Sequence, residues 1–347
     1  MRNDIRLPKI TNPGQLIAAI PAVLGFTPEN SLVLVTREGK DLGAFMRVDL
    51  DDQVCEKLPD LVDVAAVEGA DSVIAVIVDE RRGRARTHRR IYDDLDRRLR
   101  ERGMSVYAGH VVDRIAAGRR WHCADGCGST GLVADPAASP MAMAAVLDGR
   151  RLYQTRAEVE AIVTPIVDER SARFGELVRQ AARSARRGPL DPSARTRQEV
   201  TAAIAAAEKL GRGEEPEEAQ LVLVGQSLTH IAARDILYSL AVSSRASESE
   251  DLWVLLARIL PTRWRVEALV LLGHSAYCRG DGPLAGIALD AALREDVAHR
   301  MAGMLDAALR GGIRPSKIRS MGDVGYRMAA GVGVTLPDWQ PRYREAG

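Results

Sequence analysis

The chain has 347 residues, 46% of them hydrophobic and 27% charged, with a formal net charge of +1. That composition excludes a disordered chain, and the near-zero charge excludes a global field that would hold it on nucleic acid or an anionic membrane. The length favours two domains, and an aromatic content of only 4% leaves Ala, Val, Leu and Ile to build closely packed, largely helical cores. Arginine greatly outnumbers lysine, which reads as the codon bias of a G- and C-rich genome.

Cys55, Cys123, Cys127 and Cys278 are scattered through a chain whose opening residues do not read as a secretory leader, so a reducing, cytoplasmic setting is expected rather than a disulfide scaffold. The longest apolar runs, residues 73–78 and 268–272, fall far short of the roughly 20 residues a membrane helix needs. No membrane association is expected.

In chain order, Asn12-Pro13 opens a helix with Leu16, Ile17, Ile20, Val23 and Leu24 on one face, ending at Gly25. Residues 31–36 and 43–49 form a hairpin around Glu-Gly-Lys-Asp, and residues 52–66 a helix. A continuous apolar strand over 71–79, a charged helix over 86–102 with Ile91, Leu95 and Leu99 inward, and a strand over 104–112 make a βαβ crossover and a partly parallel sheet. Residues 114–133, rich in glycine around Trp121, suit a hairpin or a long loop at a sheet edge, and a short helix follows over 141–147.

After about Pro165 the β-branched runs give way to Ala-rich segments of period 3.6, which predicts an α/β domain over 1–165, an all-α domain over 166–315 and a tail over 316–347. Helices are expected over 171–186, from an N-cap at Ser193 to 210, and over 217–227, 230–242, 249–260, 263–279, 283–294 and 296–309, with a turn at 188–193 and an acidic linker at 211–216.

Residues 269–297 carry the spacing of one tetratricopeptide-like helix pair. Leu269, Leu272, Gly273, Ala276, Gly280, Ala285, Leu289 and Ala292 take the large and small positions, and the turn runs through Asp281, Gly282 and Pro283. A groove on such a pair would recognise a protein partner through His274, Tyr277, Arg279 and Asp281; the alternative is a hairpin that completes a bundle.

The run Gly25-Phe-Thr-Pro-Glu-Asn-Ser-Leu-Val-Leu-Val35, then Arg47-Val-Asp-Leu50, and downstream Gly280-Asp-Gly-Pro-Leu-Ala-Gly-Ile-Ala-Leu289, resembles an uncharacterised actinobacterial family, the domain of unknown function numbered 4192. The resemblance covers most of the chain from about Pro13 to Pro315 and implies a cytoplasmic bacterial protein of this two-part layout, with no catalytic residues to carry over. Family members often have adjacent cysteines followed by Pro and Gly after the Trp, whereas this chain reads Trp121-His-Cys-Ala-Asp-Gly-Cys-Gly128.

Chemistry has few candidates. Cys123 and Cys127 lack the Cys-x-x-Cys pairing of a structural zinc site, and His110 is the only base on offer for a cysteine nucleophile, so neither a metal nor a cofactor is expected. Around residues 25–31, Asn30 and Ser31 stand near Arg47 and Asp49. There Arg47 could clamp a carboxylate or phosphate and Asp49 act as a base, or the two form a structural ion pair. No phosphate-loop or dinucleotide fingerprint occurs. Asp79 and Glu80 end a strand, a generic place for ligands. The basic run Arg81, Arg82, Arg84, Arg86, Arg89 and Arg90 lacks interleaved aromatics and is followed by Asp93, Asp94 and Asp96, so a solvated helix start is favoured over nucleic-acid binding. The sequence alone therefore favours a non-enzymatic protein-binding or adaptor module, with an enzyme or small-ligand protein using Arg47 and Asp49 as the alternative.

Overall fold

The computed structural model describes residues 12–67, 69–147, 153–185 and 191–340. The chain divides into two compact units, Met1–Glu158 and Val159–Gly347. The division comes a few residues before Pro165; Val159 and Val163 are both buried, and the Val163 carbonyl accepts from Arg265 Nη2 at 2.6 Å.

In the first unit, α1 (Pro13–Leu24) starts where the Asn12 side chain accepts the Gln15 N–H at 2.9 Å, and stops at Gly25 with φ 75°. The hairpin β1 (Ser31–Glu38) and β2 (Asp41–Asp49) leads into α2 (Val54–Val67), then β3 (Ser72–Val78), α3 (Ala85–Glu101) and β4 (Ser105–Val112). The expected glycine-rich segment is a hairpin, β5 (Arg120–Cys123) and β6 (Thr130–Leu132), before α4 (Pro140–Leu147). The sheet order is β2-β1-β3-β4-β5-β6, with β3 and β4 parallel and the other neighbours antiparallel. Close approach explains one glycine of the hairpin: a Cβ on Gly131 would lie 2.8 Å from the Trp121 indole.

Alternation places Leu32, Leu34, Ala75, Ile77 and Val111 on one face of the sheet, packed against Leu58 and Val62 of α2 and Ile91, Leu95 and Leu99 of α3. Val33, Val35, Val76 and Val78, on the opposite face, are buried as well, and α1 reaches β2 and β6. Every residue of β3 is therefore buried, the reason it reads as an unbroken apolar run. Each such Leu or Ile contributes about 1.5–3 kcal/mol through burial.

The second unit is helix-rich. α5 (Arg156–Ile162) spans the division and is followed by α6 (Glu169–Ala185), α7 (Pro192–Gly211), α8 (Glu218–Ser227) and α9 (Ile231–Leu237), the last continuing as a 3-10 turn over Tyr238–Val242. Next come α10 (Ala246–Ile259), α11 (Thr262–Arg279), α12 (Gly282–Glu295), α13 (Arg300–Arg310), α14 (Pro315–Arg319) and α15 (Gly322–Gly331). The cap of α7 is Asp191 rather than the expected Ser193: its carboxylate accepts the Ala194 N–H at 3.0 Å, and Pro192 takes the first helical position. Part of the turn expected at 188–193, residues 188–190, lies outside the described residues, as does the end of the tail, 341–347.

The helical hairpin is present as α11 and α12, joined through Gly280 at φ 85° and Asp281. A Cβ on Gly273 would lie 2.9 Å from Leu289 Cγ, so the small residue does let the helices nest. From Trp264 to Cys278, however, every residue of α11 is buried except the half-buried Glu267. A helix buried all round is a central helix. Among the described residues, no helix is long and apolar enough to cross a membrane.

Candidate functional site

One end of the sheet collects the polar groups of the first unit. Ser31 stands opposite both Asp49 and Val78, and Val78 opposite Val112, so the start of β1 and the ends of β2, β3 and β4 share this end. Just before it, Asn30 has φ 41°, the one non-glycine residue with positive φ among those described. Asparagine tolerates that conformation better than most residues, which leaves its carbonyl free to accept the Leu50 N–H at 2.7 Å. The Ser31 hydroxyl donates to the Glu29 carbonyl at 2.7 Å and accepts from Arg47 Nε at 2.9 Å. Arg47 also pairs with Asp49 at 2.5 Å, and its side chain is only 10% exposed. The structure brings all four expected ligand residues together, and it orients Arg47 toward Ser31 and Asp49, as in the structural ion pair.

A second group at the same end was not assembled from sequence. The Asp79 side chain is wholly buried; Oδ1 accepts the Arg81 N–H at 3.0 Å and Arg81 Nε at 2.7 Å, while Oδ2 lies 2.9 Å from His88 Nε2 and 3.8 Å from Arg84 Nε. Burial alone would raise this carboxyl, but the hydrogen bonds from Arg81 and His88 outweigh it and hold it below the ordinary carboxylate value. Arg81 Nη2 also donates to the Leu50 carbonyl at 3.0 Å. The Leu50 peptide thus joins the two groups, with Asn30 on its nitrogen side and Arg81 on its oxygen side. Next in the chain, α3 begins without a side-chain cap, with Arg84 at its N-cap position.

The arginine run is partly spent on structure. Arg89 pairs with Asp93 and donates to the Asp125 carbonyl, while Arg82, Arg86 and Arg90 are exposed. An open depression on the outer side of α3, lined by Asp93, Asp96, Arg97, Arg100 and Glu101, is a face of ion pairs: Arg97 with Asp94 and Glu101, Arg100 with Asp96. Such exposed pairs contribute little, about 0.3–0.5 kcal/mol each.

The connection from β5 to β6 holds Cys123, Asp125 and Cys127 with one donor atom of each within 4.8 Å of the others. Asp125 Oδ1 accepts the Cys127 N–H at 2.9 Å, and Ser129 Oγ lies 3.2 Å from Cys127 Sγ. His110 Nδ1 approaches Cys123 Sγ at 3.9 Å from the interior, its ring edge-on to Trp121. Burial, with Cys127 beside it, pushes the Cys123 thiol up to about 11, so it is protonated at neutral pH. From sequence, His110 and His122 are the nitrogen donors nearest Cys123 and Cys127; the turn instead brings the Asp125 carboxylate, at the alternate position between the cysteines, to the two sulfurs.

In the helical unit, the four residues expected to meet a partner point inward or pair with neighbours. His274 is 1% exposed, edge-on to Tyr238 with ring centroids 5.0 Å apart, and burial lowers its pKa to about 4. Tyr277 is buried and donates its hydroxyl to the Ile313 carbonyl at 2.6 Å. Arg279 binds Glu250 at 2.7 Å and Asp281 at 3.2 Å, and Asp281 caps α12 by accepting the Leu284 N–H at 3.1 Å. His274 and Tyr277 are enclosed, because helical spacing identifies which residues share a face but not which other segment covers it. A further buried group, Glu199 with Arg195 at 2.9 Å, Gln226 at 3.2 Å and His230 at 2.5 Å, likewise ties α7 to α8 and the start of α9.

Residues 13–316 match the family model described as a domain of unknown function, DUF4192. The chain belongs to the DUF4192 family. No curated protein and no solved structure matches it. The DUF4192 match takes in the sheet end, the cysteine loop and the α11–α12 hairpin, and stops within α14. Its description assigns no activity, so the chemistry of this DUF4192 chain has to be read from the geometry of its side chains.

Proposed function

We propose that this protein binds a small anionic ligand at the carboxyl end of β3, where Arg81, Arg82 and Arg84 meet the uncapped start of α3. The observation that carries the reading is Asp79, a fully buried carboxylate placed at a parallel strand end with Arg81, Arg84 and His88 gathered around its two oxygens. Open α/β sheets take ligands at the carboxyl ends of parallel strands, and helix N-termini favour anions. Arg81 and Arg84 keep 40% and 29% of their side chains exposed, so a ligand can reach them from solvent. Arg47 and Asp49 support the site from behind, since the Leu50 peptide connects their strand to Arg81. Asn30 fits this reading, because strained backbone gathers at functional sites.

The test is a thermal-shift screen of phosphate- and carboxylate-bearing small molecules on the full chain. A ligand at 100 times its Kd stabilises the native state by about 2.7 kcal/mol, which corresponds to a rise of roughly 5–10 °C for a unit of this size. The double variant R82Q/R84Q should lose that rise; a rise it keeps would place the ligand elsewhere.

A second reading, docking of a protein partner by the helical unit with its tetratricopeptide-like pair, is favoured by exposed apolar residues beside that pair: Val297 before α13 and Met304 on it. A pull-down in which V297D/M304D retains every specific partner would count against it.

A further inference from the structure

The loop between β5 and β6 has an arrangement that the anion site does not use. Cys123, Asp125 and Cys127 sit at alternate positions of a turn whose glycines, Gly126 and Gly128, have φ of 80° and 81°. Those left-handed residues curl the chain so that two sulfurs and a carboxylate face one another, with their donor atoms within 4.8 Å. In a tetrahedral site with metal–ligand bonds of about 2.0–2.3 Å, donors lie roughly 3.3–3.8 Å apart, so small side-chain rotations complete the cage.

We propose that Cys123, Asp125 and Cys127 bind one thiophilic divalent transition-metal ion of the zinc class, with a fourth position open to solvent. Two sulfur donors exclude magnesium and calcium, which take oxygen ligands. The surroundings are those of a supported site. The Asp125 carboxylate is oriented by the Cys127 N–H at 2.9 Å, the Asp125 carbonyl is held by Arg89 of α3, and His110 meets the Cys123 sulfur from the interior at 3.9 Å. Cys127 and the loop tip are exposed while Cys123 is half-buried, so the ion enters from solvent and keeps one face toward it. Each thiol releases its proton on ligation, and no oxidant or reductant takes part.

Cobalt(II) is the probe, titrated anaerobically into the reduced, chelator-treated full chain. The expected result is a thiolate-to-cobalt charge-transfer band that saturates at one ion per chain and is displaced by equimolar zinc. C127S, an exposed substitution that spares the fold, should remove most of the band, as should C123S. D125N should weaken cobalt binding at least tenfold, while C55S and C278S leave the band unchanged. Absence of the band from the unmodified chain, its survival in C127S, or formation of a Cys123–Cys127 disulfide in the presence of saturating zinc would overturn the proposal.

Discussion

At the carboxyl end of β3, Asp79 gathers Arg81, Arg84 and His88 beside solvent, whereas Glu250 and Arg279 pair beneath the α11–α12 hairpin, where His274 and Tyr277 are also enclosed. Both groups combine the same side-chain chemistries. In the first, two arginines keep part of their side chains exposed; in the second, the ionisable groups pair with one another and with a helix end. Candidate residues become a site only where the fold leaves a surplus, and α11 leaves none because it is covered all round.

The comparison breaks first at His274. Its folded pKa is about 4 against an ordinary 6.5, so the unfolded chain takes up the proton first and stability falls as pH drops from 6.5 to about 4, then levels off. The loss amounts to about 3 kcal/mol at 1.36 kcal/mol per unit, and H274Q should flatten that slope in urea titrations followed by Trp253 and Trp264. Arg279→Met comes next. It leaves Glu250 enclosed without its cation, at a cost of about 2 kcal/mol, less than a fully buried charge would incur because burial already holds Glu250 above its ordinary pKa and it can accept a proton.

Effects at the sheet end should be smaller on stability. Asp79 has a lowered pKa, so its contribution is present above its ordinary value of 3.8 and is lost as pH falls below it; D79N should abolish that acid-side slope in the Trp121 signal. R84Q should cost less than about 1 kcal/mol, since its nitrogen is 3.8 Å from Asp79 and its side chain 29% exposed. If R84Q instead matched R279M, the surplus attributed to the sheet end would be absent.

Much of the fold was legible locally. Ile91, Leu95 and Leu99 at helical spacing placed α3, the unbroken run of β3 announced a strand covered on both faces, and Gly273 with Leu289 announced a nested hairpin. Arg47 with Asp49 was legible because the residues alternate on one strand. Asp79 with His88 was not, since a loop and a helical turn intervene and only folding brings them to 2.9 Å. The enclosure of His274 was hidden for a related reason: its coverage by Tyr238 depends on a segment more than thirty residues away, which turns from α-helix into a 3-10 turn inside a helix expected to be continuous. Asp125 is visible between the two cysteines, but a Cys-to-Cys interval of four does not match the Cys-x-x-Cys pairing of a structural zinc site, and only the turn brings its carboxylate to the sulfurs.

The most direct test of the surplus at the carboxyl end of β3 is the melting temperature of the full chain with phosphate-bearing small molecules, measured beside R82Q/R84Q. The account predicts at least one compound that raises the unmodified protein by roughly 5–10 °C at 100 times its Kd and leaves the double variant unmoved. An equal rise in both proteins, or none in either across the anionic set, would contradict it.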